Sequence, residues 1–355
     1  MSATWGRKVR YTIFGESHGK GIGMTIDGLP PGLMINWDDV TKELARRAPG
    51  NSPLATSRRE TDHFILLSGL FQGKTAGTPL CAMIENHNQH SADYETAIQK
   101  FRPSHADYAG HVKYKGYNDP RGGGHFSGRL TAPLVFAGAI IKQLLLQQKI
   151  IIGSHIERIG SISEPRFDAV TVDEKSLLRL NQQKFAVLDP IIGEEMQNTI
   201  LAAKADNDSV GGVIETAAIH LSAGWGDPFF DSLESTLSHL LFSIPAVKGI
   251  EFGAGFEFAA MYGSTANDAM QCQDGRIQTT TNHNGGITGG ITNGMPLIFR
   301  VAIKPTPSIS QKQHTVNAQG ENILLSTIGR HDPCIVPRAV PVVEAVTALA
   351  LWEMI

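Results

Sequence analysis

Short runs in which apolar and β-branched residues alternate with polar ones recur along the 355-residue chain and predict strands at 8–14, 22–26, 63–67, 80–84, 150–156, 213–221 and 297–303. Between them, apolar residues at helical spacing predict helices at 131–147, 174–183, 191–205, 231–242 and 340–354. An earlier helix is predicted to start at Asp38 or Asp39, whose carboxylates can cap free N–H groups, and to stop before Pro49-Gly50. That places Arg46 and Arg47 at its C-terminal end. No internal repeat, low-complexity tract or long charged linker interrupts the pattern, so residues 1–355 read as one α+β domain.

The most apolar stretch, 132–152, is broken by Lys142, Gln143, Gln147, Gln148 and Lys149. It reads as a buried helix running into a strand rather than a membrane span. The opening run Trp5-Gly6-Arg7-Lys8-Val9-Arg10 is polar and basic where a signal peptide would be apolar. A net charge of −3 argues against a global basic surface for nucleic acid or acidic lipid, so any anion site must be local. Cys81, Cys272 and Cys334 are far apart, odd in number and without C-x-x-C spacing, which argues against a disulfide framework or zinc and fits a reducing cytoplasm. With 37 glycines and 18 prolines the chain is loop-rich, and its candidate chemistry sits in those loops.

Five loops hold reactive side chains. Gly15-Glu16-Ser17-His18-Gly19-Lys20 follows a predicted strand and presents a histidine that can change its protonation near neutral pH. A capped turn is the plain structural alternative. Phe101-Arg102-Pro103-Ser104-His105-Ala106-Asp107 places Arg, His and Asp within six positions, and a loop salt bridge accounts for it equally well. The segment from Arg121-Gly122-Gly123-Gly124-His125 to Thr131 leads into a helix, where free N–H groups favour phosphate or carboxylate. Lys304-Pro305-Thr306-Pro307-Ser308 stiffens a strand exit, and Gly329-Arg330-His331-Asp332-Pro333-Cys334 gathers a cation, an imidazole and a carboxylate before the last helix. Arg46, Arg47, Arg102, Arg129 and Arg330 together suit a substrate with several anionic groups.

Other motifs point elsewhere. Gly69-Leu70-Phe71-Gln72-Gly73-Lys74-Thr75 is one residue short of a P-loop; a nucleotide-dependent phosphotransferase built on it is the main rival, and a non-catalytic phosphate-binding module a third reading. No G-x-G-x-x-G stands between a strand and a helix. His87 and His90 read as part of a polar turn rather than a metal site, and Cys334 as a packed thiol.

In their order, Gly15-Glu16-Ser17-His18-Gly19, Arg46-Arg47-Ala48-Pro49-Gly50, Arg102-Pro103-Ser104-His105-Ala106-Asp107 and Gly329-Arg330-His331-Asp332-Pro333-Cys334 resemble the chorismate synthase family over nearly the whole chain. The resemblance implies a β-α-β sandwich, a homotetramer, and anti-1,4 elimination of phosphate from 5-enolpyruvylshikimate 3-phosphate to give chorismate for aromatic biosynthesis. It also implies reduced FMN, used without net redox change, and NADPH as a source of reducing equivalents. By position, His18 would protonate the phosphate, His105 the reduced flavin, and Asp332 would assist proton removal. Ser17, Arg47, Arg102, Arg129 and Arg330 would hold the substrate anions. Flavin contacts would fall to His125, Phe126, Ser127, Ala246, Gly289, Lys304, Pro305, Thr306, Pro307, Ser308 and Arg330. The chain departs from the pattern in three places. His125-Phe126-Ser127-Gly128-Arg129 replaces Arg-Ser-Ser-Ala-Arg, Pro245-Ala246 replaces Asn-Ala, and Pro53 replaces a substrate-side arginine, with Arg58 and Arg59 nearby.

Overall fold

The computed structural model describes residues 3–50, 54–55, 61–86, 100–273, 275–327 and 331–355. Two compact units are formed, neither from a contiguous stretch: Met1–Ala137, Asn198–Val210 and Pro305–Ile335 make the first, and Gly138–Gln197, Gly211–Lys304 and Val336–Ile355 the second.

The first unit is built on a five-stranded antiparallel sheet in the spatial order Thr4–Trp5, Arg10–Gly15, Gly21–Asp27, Leu80–Glu85, Phe64–Ser68. Period-two patterning explains its core. Ile22, Met24 and Ile26 on one strand and Leu80, Ala82 and Ile84 on its neighbour are all buried. Each large side chain so buried contributes about 1.5–3 kcal/mol. Helix Trp37–Arg47 adds Val40 and Leu44 to this core, and Trp37 packs with Phe64 and Phe136 in an aromatic cluster. Asn36, not Asp38 or Asp39, caps that helix, accepting from the Asp38 N–H at 3.1 Å. The two aspartates occupy the first turn, where they favour the positive end of the helix dipole.

The second unit holds another five-stranded antiparallel sheet, ordered Val247–Phe252, Leu297–Ile303, Gly212–Ile219, Ile151–Ile159, Ile162–Ser163. Strand Ile151–Ile159 is buried except at Arg158, although it carries Ser154, His155 and Glu157. The register explains how Ser154 and His155 are tolerated: Ser154 stands opposite Thr216 and meets its hydroxyl at 2.9 Å. Glu251 stands opposite Arg300, Arg300 opposite Glu215, and Glu215 opposite His155, so one rung across four strands alternates in charge. His155 then reaches Glu164 through Nδ1 and Glu215 through Nε2, the latter at 2.9 Å, while Arg300 Nε meets Glu251 at 2.7 Å.

The predicted helix 131–147 is observed as Thr131–Gln147, and the others lie near their predicted spans. The stretch Gly128–Gln147 is long and apolar enough to cross a membrane, yet 78% of its apolar window is buried within the protein. The last helix runs Val336–Met354, beginning four residues before 340, because it accommodates Pro337 in its first turn and Pro341 in its interior. Strand Val247–Phe252 and helix Asp107–Lys113 had no clear periodic signal.

Candidate active site

Strand Arg10–Gly15 delivers the chain into a tight turn, closed by the Gly19 N–H donating to the Glu16 carbonyl at 3.0 Å. The Asn86 side-chain amide pins this turn by donating to the carbonyls of Glu16 and Gly19, both at 3.0 Å. His18 is 4% exposed, and its Nδ1 lies 2.9 Å from the Ser17 hydroxyl. That hydroxyl donates to the Gly122 carbonyl at 3.1 Å, so its lone pairs are directed at His18 Nδ1. The arrangement favours the proton on Nδ1.

The glycine loop forms the wall against which this imidazole rests. A Cβ on Gly122 would lie 2.0 Å from His18 Cε1 and 2.7 Å from Ser17 Oγ, and its φ of +58° is in the left-handed region. Gly124 is equally constrained: its φ is +53° and a Cβ would meet the Asp119 carbonyl at 2.0 Å. Gly123, between them, has the terminal Nη2 of Arg102 about 3.9 Å from its Cβ position. The loop therefore brings His18 and Arg102 to neighbouring residues of one backbone turn.

Arg47 and Arg129 meet on Asp62. Arg47, at the end of helix Trp37–Arg47, donates through Nε at 2.8 Å and Nη2 at 2.5 Å to Asp62 Oδ2, while Arg129 Nη1 binds Asp62 Oδ1. All three side chains are buried or nearly so. Burial alone would raise the Asp62 carboxyl, but the charges and hydrogen bonds of the two guanidinium groups outweigh it and hold the group below the usual carboxylate range. Arg129 Nε also reaches Asn86 Oδ1 at 3.3 Å, which links this cluster to the turn bearing Ser17 and His18.

The Arg102 loop is the salt bridge its residues allowed. Arg102 grips Asp107 with Nε and Nη2, both at 2.8 Å, and Asp107 also accepts the Arg102 backbone N–H at 3.0 Å. Burial raises and Arg102 more strongly lowers the Asp107 carboxyl, leaving it below its ordinary value. His105 donates from Nδ1 to the Pro103 carbonyl at 3.0 Å, and its Nε2 faces the Ser308 hydroxyl at 2.7 Å. Pro305, Thr306, Pro307 and Ser308 are thus joined to His105 through Ser308, and Ser209 Oγ steadies their loop by donating to the Thr306 carbonyl at 2.6 Å. The Thr306 hydroxyl is buried with no hydrogen-bond partner among the described residues.

Other expected contacts are more dispersed. Ser127 caps the 3₁₀ turn Gly128–Leu130 through the Arg129 N–H, His125 Nδ1 donates to the Gly15 carbonyl at 2.9 Å, and the Phe126 ring lies over Gly110. In the second unit, the Lys304 N–H donates to the Ala246 carbonyl at 3.0 Å, and burial with the nearby charge of Lys248 lowers the Lys304 amine. Gly289, at φ +63°, would carry a Cβ with no atom within 4 Å. Asp332 is buried in the first unit. Arg330, Pro53, Arg58, Arg59, His87 and His90 lie outside the described residues.

The P-loop-like segment is a β-hairpin. Leu70–Phe71 pairs with Lys74–Thr75 across Gln72 and Gly73, both at positive φ, as a type I′ turn requires. The Thr75 hydroxyl is used structurally, donating to the Pro30 carbonyl at 2.6 Å. Among the described residues no group of three His, Cys, Asp or Glu side chains is placed to hold a metal. Cys81, Cys272 and Cys334 form no disulfide, and Cys334 is buried. Asp62, Asn86 and Asp119 were missed in sequence because each is a single polar residue outside any motif.

The mixed helix-and-sheet fold carries loops that set Arg47 and Arg129 on one carboxylate and bring Arg102 and His18 to one glycine turn, a cationic arrangement of the kind that suits a small polyanion. The sequence profile of the chorismate synthase family matches residues 9–355. A chorismate synthase from Porphyromonas gingivalis (strain ATCC BAA-308 / W83) is 47% identical over 351 residues, 99% of this chain and 94% of that one. The one from Pyrococcus abyssi (strain GE5 / Orsay) is 45% identical over 349 residues, covering 98% and 96%. A crystal structure of a chorismate synthase superposes with a TM-score of 0.76 at 29% identity, covering 99% of this chain and 92% of that one. The chain belongs to the chorismate synthase family and is an enzyme of that family, a lyase of aromatic biosynthesis.

Proposed function

We propose that the chain catalyses anti-1,4 elimination of phosphate from 5-enolpyruvylshikimate 3-phosphate, giving chorismate. The observation that carries this reading is the Ser17–His18 pair seated on Gly122 and tied through Asn86 to the two guanidinium groups on Asp62. Arg47 and Arg129, with Arg102 and Arg330, would neutralise the substrate's phosphate and two carboxylates. Ser17 orients the imidazole, and His18 Nε2 gives a proton to the departing phosphate. Asp332 assists removal of the proton lost from the ring.

The residues present fit reduced FMN. Thr306 holds a buried hydroxyl with no partner among the described residues, His105 Nε2 and the Ser308 hydroxyl form a unit that can hold or pass a proton, and Gly289 leaves room for close backbone approach. Pro305, Thr306, Pro307 and Ser308, with His105 and Ser127, would hold the flavin, and so would Ala246, Gly289 and Lys304. When bound, reduced flavin supplies electron density to the elimination and recovers it, with no net redox change. His105 Nε2 would take up and hand on a proton there, and Ser308 fixes its direction. A homotetramer in a reducing cytoplasm, with NADPH as a source of reducing equivalents, belongs to the same reading and is supported by family membership and by cysteines that form no disulfide.

The test is an anaerobic assay of the purified protein with reduced FMN and the enolpyruvyl phosphate. Stoichiometric release of phosphate and chorismate is expected, and its absence would end the proposal. Flavin fit is checked apart from turnover: Thr306→Val is expected to weaken FMN binding in a fluorescence titration.

A further inference from the structure

We infer that Asp62 is a positioning residue, a single carboxylate that fixes the distance and orientation of the Arg47 and Arg129 guanidinium groups and joins them to the turn bearing Ser17 and His18. The inference rests on the function proposed above, but it concerns a residue that the family resemblance did not bring forward.

Arg47 is engaged along one edge, since Nε and Nη2 both bind Asp62 Oδ2 while Nη1 lies 3.4 Å from the Thr131 hydroxyl. A guanidinium is planar and rigid, so fixing one edge fixes the direction of the other. Arg129 is held at two points, by Asp62 on Nη1 and by Asn86 on Nε. Asn86 uses its amide protons on the carbonyls of Glu16 and Gly19, the residues flanking Ser17 and His18. Helix end, carboxylate, 3₁₀ turn, amide and histidine turn therefore form one continuous hydrogen-bonded chain, drawn from five separated segments of sequence. Asp62 is its junction, and its side chain is 1% exposed.

A simple counter-ion would also sit between two arginines, and the two roles predict opposite signs. If Asp62 only offsets repulsion, Asp62→Asn raises local positive charge and inorganic phosphate binds more tightly. If Asp62 positions the forks, the same variant loosens both and phosphate binds more weakly, by about tenfold or more. Calorimetric titration of the full-length protein with inorganic phosphate reads this directly, and the imidazole ¹⁵N signals of His18 should shift in the variant because the linked turn relaxes. In steady state the positioning role lowers kcat as well as raising KM, and combining Asp62→Asn with Arg129→Lys costs less than the product of the single effects. Unchanged or tighter phosphate binding in Asp62→Asn, or multiplicative effects in the double variant, overturn the inference. Should Asp62→Asn fail to fold, Arg129→Lys keeps the charge and removes the fork: weaker phosphate binding supports positioning, and unchanged binding overturns it. A wild-type protein that releases no phosphate from the enolpyruvyl substrate sinks the functional reading, whereas the phosphate titration of the variants judges Asp62 independently.

Discussion

Two buried charged clusters, one in each unit, differ in how they are held. In the second unit, Glu251, Arg300, Glu215 and His155 stand side by side on four adjacent strands, with Glu164 beyond. Sheet register sets their spacing, and backbone groups take up what the side chains leave: Phe167 N–H donates to Glu215, and Leu188 and Asp189 N–H to Glu164. In the first unit, two guanidinium groups converge on one carboxylate, and helix ends and loops rather than paired strands place them. The second unit's cluster alternates in sign along one rung of the sheet, whereas the first unit's sets two cations on one anion and so carries an excess of positive charge. Burial is common to both; the difference lies in the balance of charge and the element that carries it.

The largest expected effect breaks the scaffold side of the comparison. Glu215→Ala leaves His155 and Arg300 facing a lost partner and should destabilise the protein by about 3–5 kcal/mol in chemical unfolding, with phosphate affinity of the folded protein unchanged. A fall in phosphate affinity at unchanged stability would mean that the rung serves the site. On the other side, His18→Ala and His105→Ala should each lower turnover by roughly 10²-fold with little change in Tm. Wild-type rates in both would refute their roles. Gly122→Ala, which must displace His18 or the loop, should cost on the order of tenfold in kcat/KM; an unaffected rate would show that the imidazole's seat is unimportant.

The clusters should also separate by pH. Burial lowers and the two glutamates more strongly raise His155, so its folded pKa lies above the ordinary 6.5. Its contribution to stability is fully present below about pH 6.5 and is lost as pH rises through the raised folded value. Asp62 behaves in the opposite sense: its contribution is present above its ordinary 3.8 and is lost as pH falls through the lowered folded value. Unfolding free energy measured across pH for His155→Gln should lose part of the alkaline decline and keep the acid one. The smallest effect is expected at the exposed pair Lys42–Asp39, where Lys42→Ala should change stability by no more than about 0.5 kcal/mol.

Much of this was legible in advance, for identifiable reasons. Strand Gly21–Asp27 and helix Thr131–Gln147 were readable because one places its buried residues at period two and the other is a long apolar run. The last helix was placed late because Pro337 and Pro341 argue locally against a helix that burial of Val340, Val343, Val346 and Ala350 sustains. His18, Arg102, His105 and Arg129 stand out as candidates because glycine and proline punctuate the loops around them. Asp62 and Asn86 were not, since a lone acid and a lone amide beside strand ends look like ordinary surface residues until their partners are known.

The chain by itself determined its elements and the loops that carry His18, His105 and the arginines, because local periodicity and turn chemistry act over a few residues. Only tertiary structure decided that Arg47 and Arg129 share Asp62, that Ser308 faces His105, and that His18 rests on Gly122. Those pairs are separated by 15, 67, 203 and about a hundred positions, and contacts between such residues follow from where the tertiary fold sets helix ends and loops rather than from any neighbouring residue.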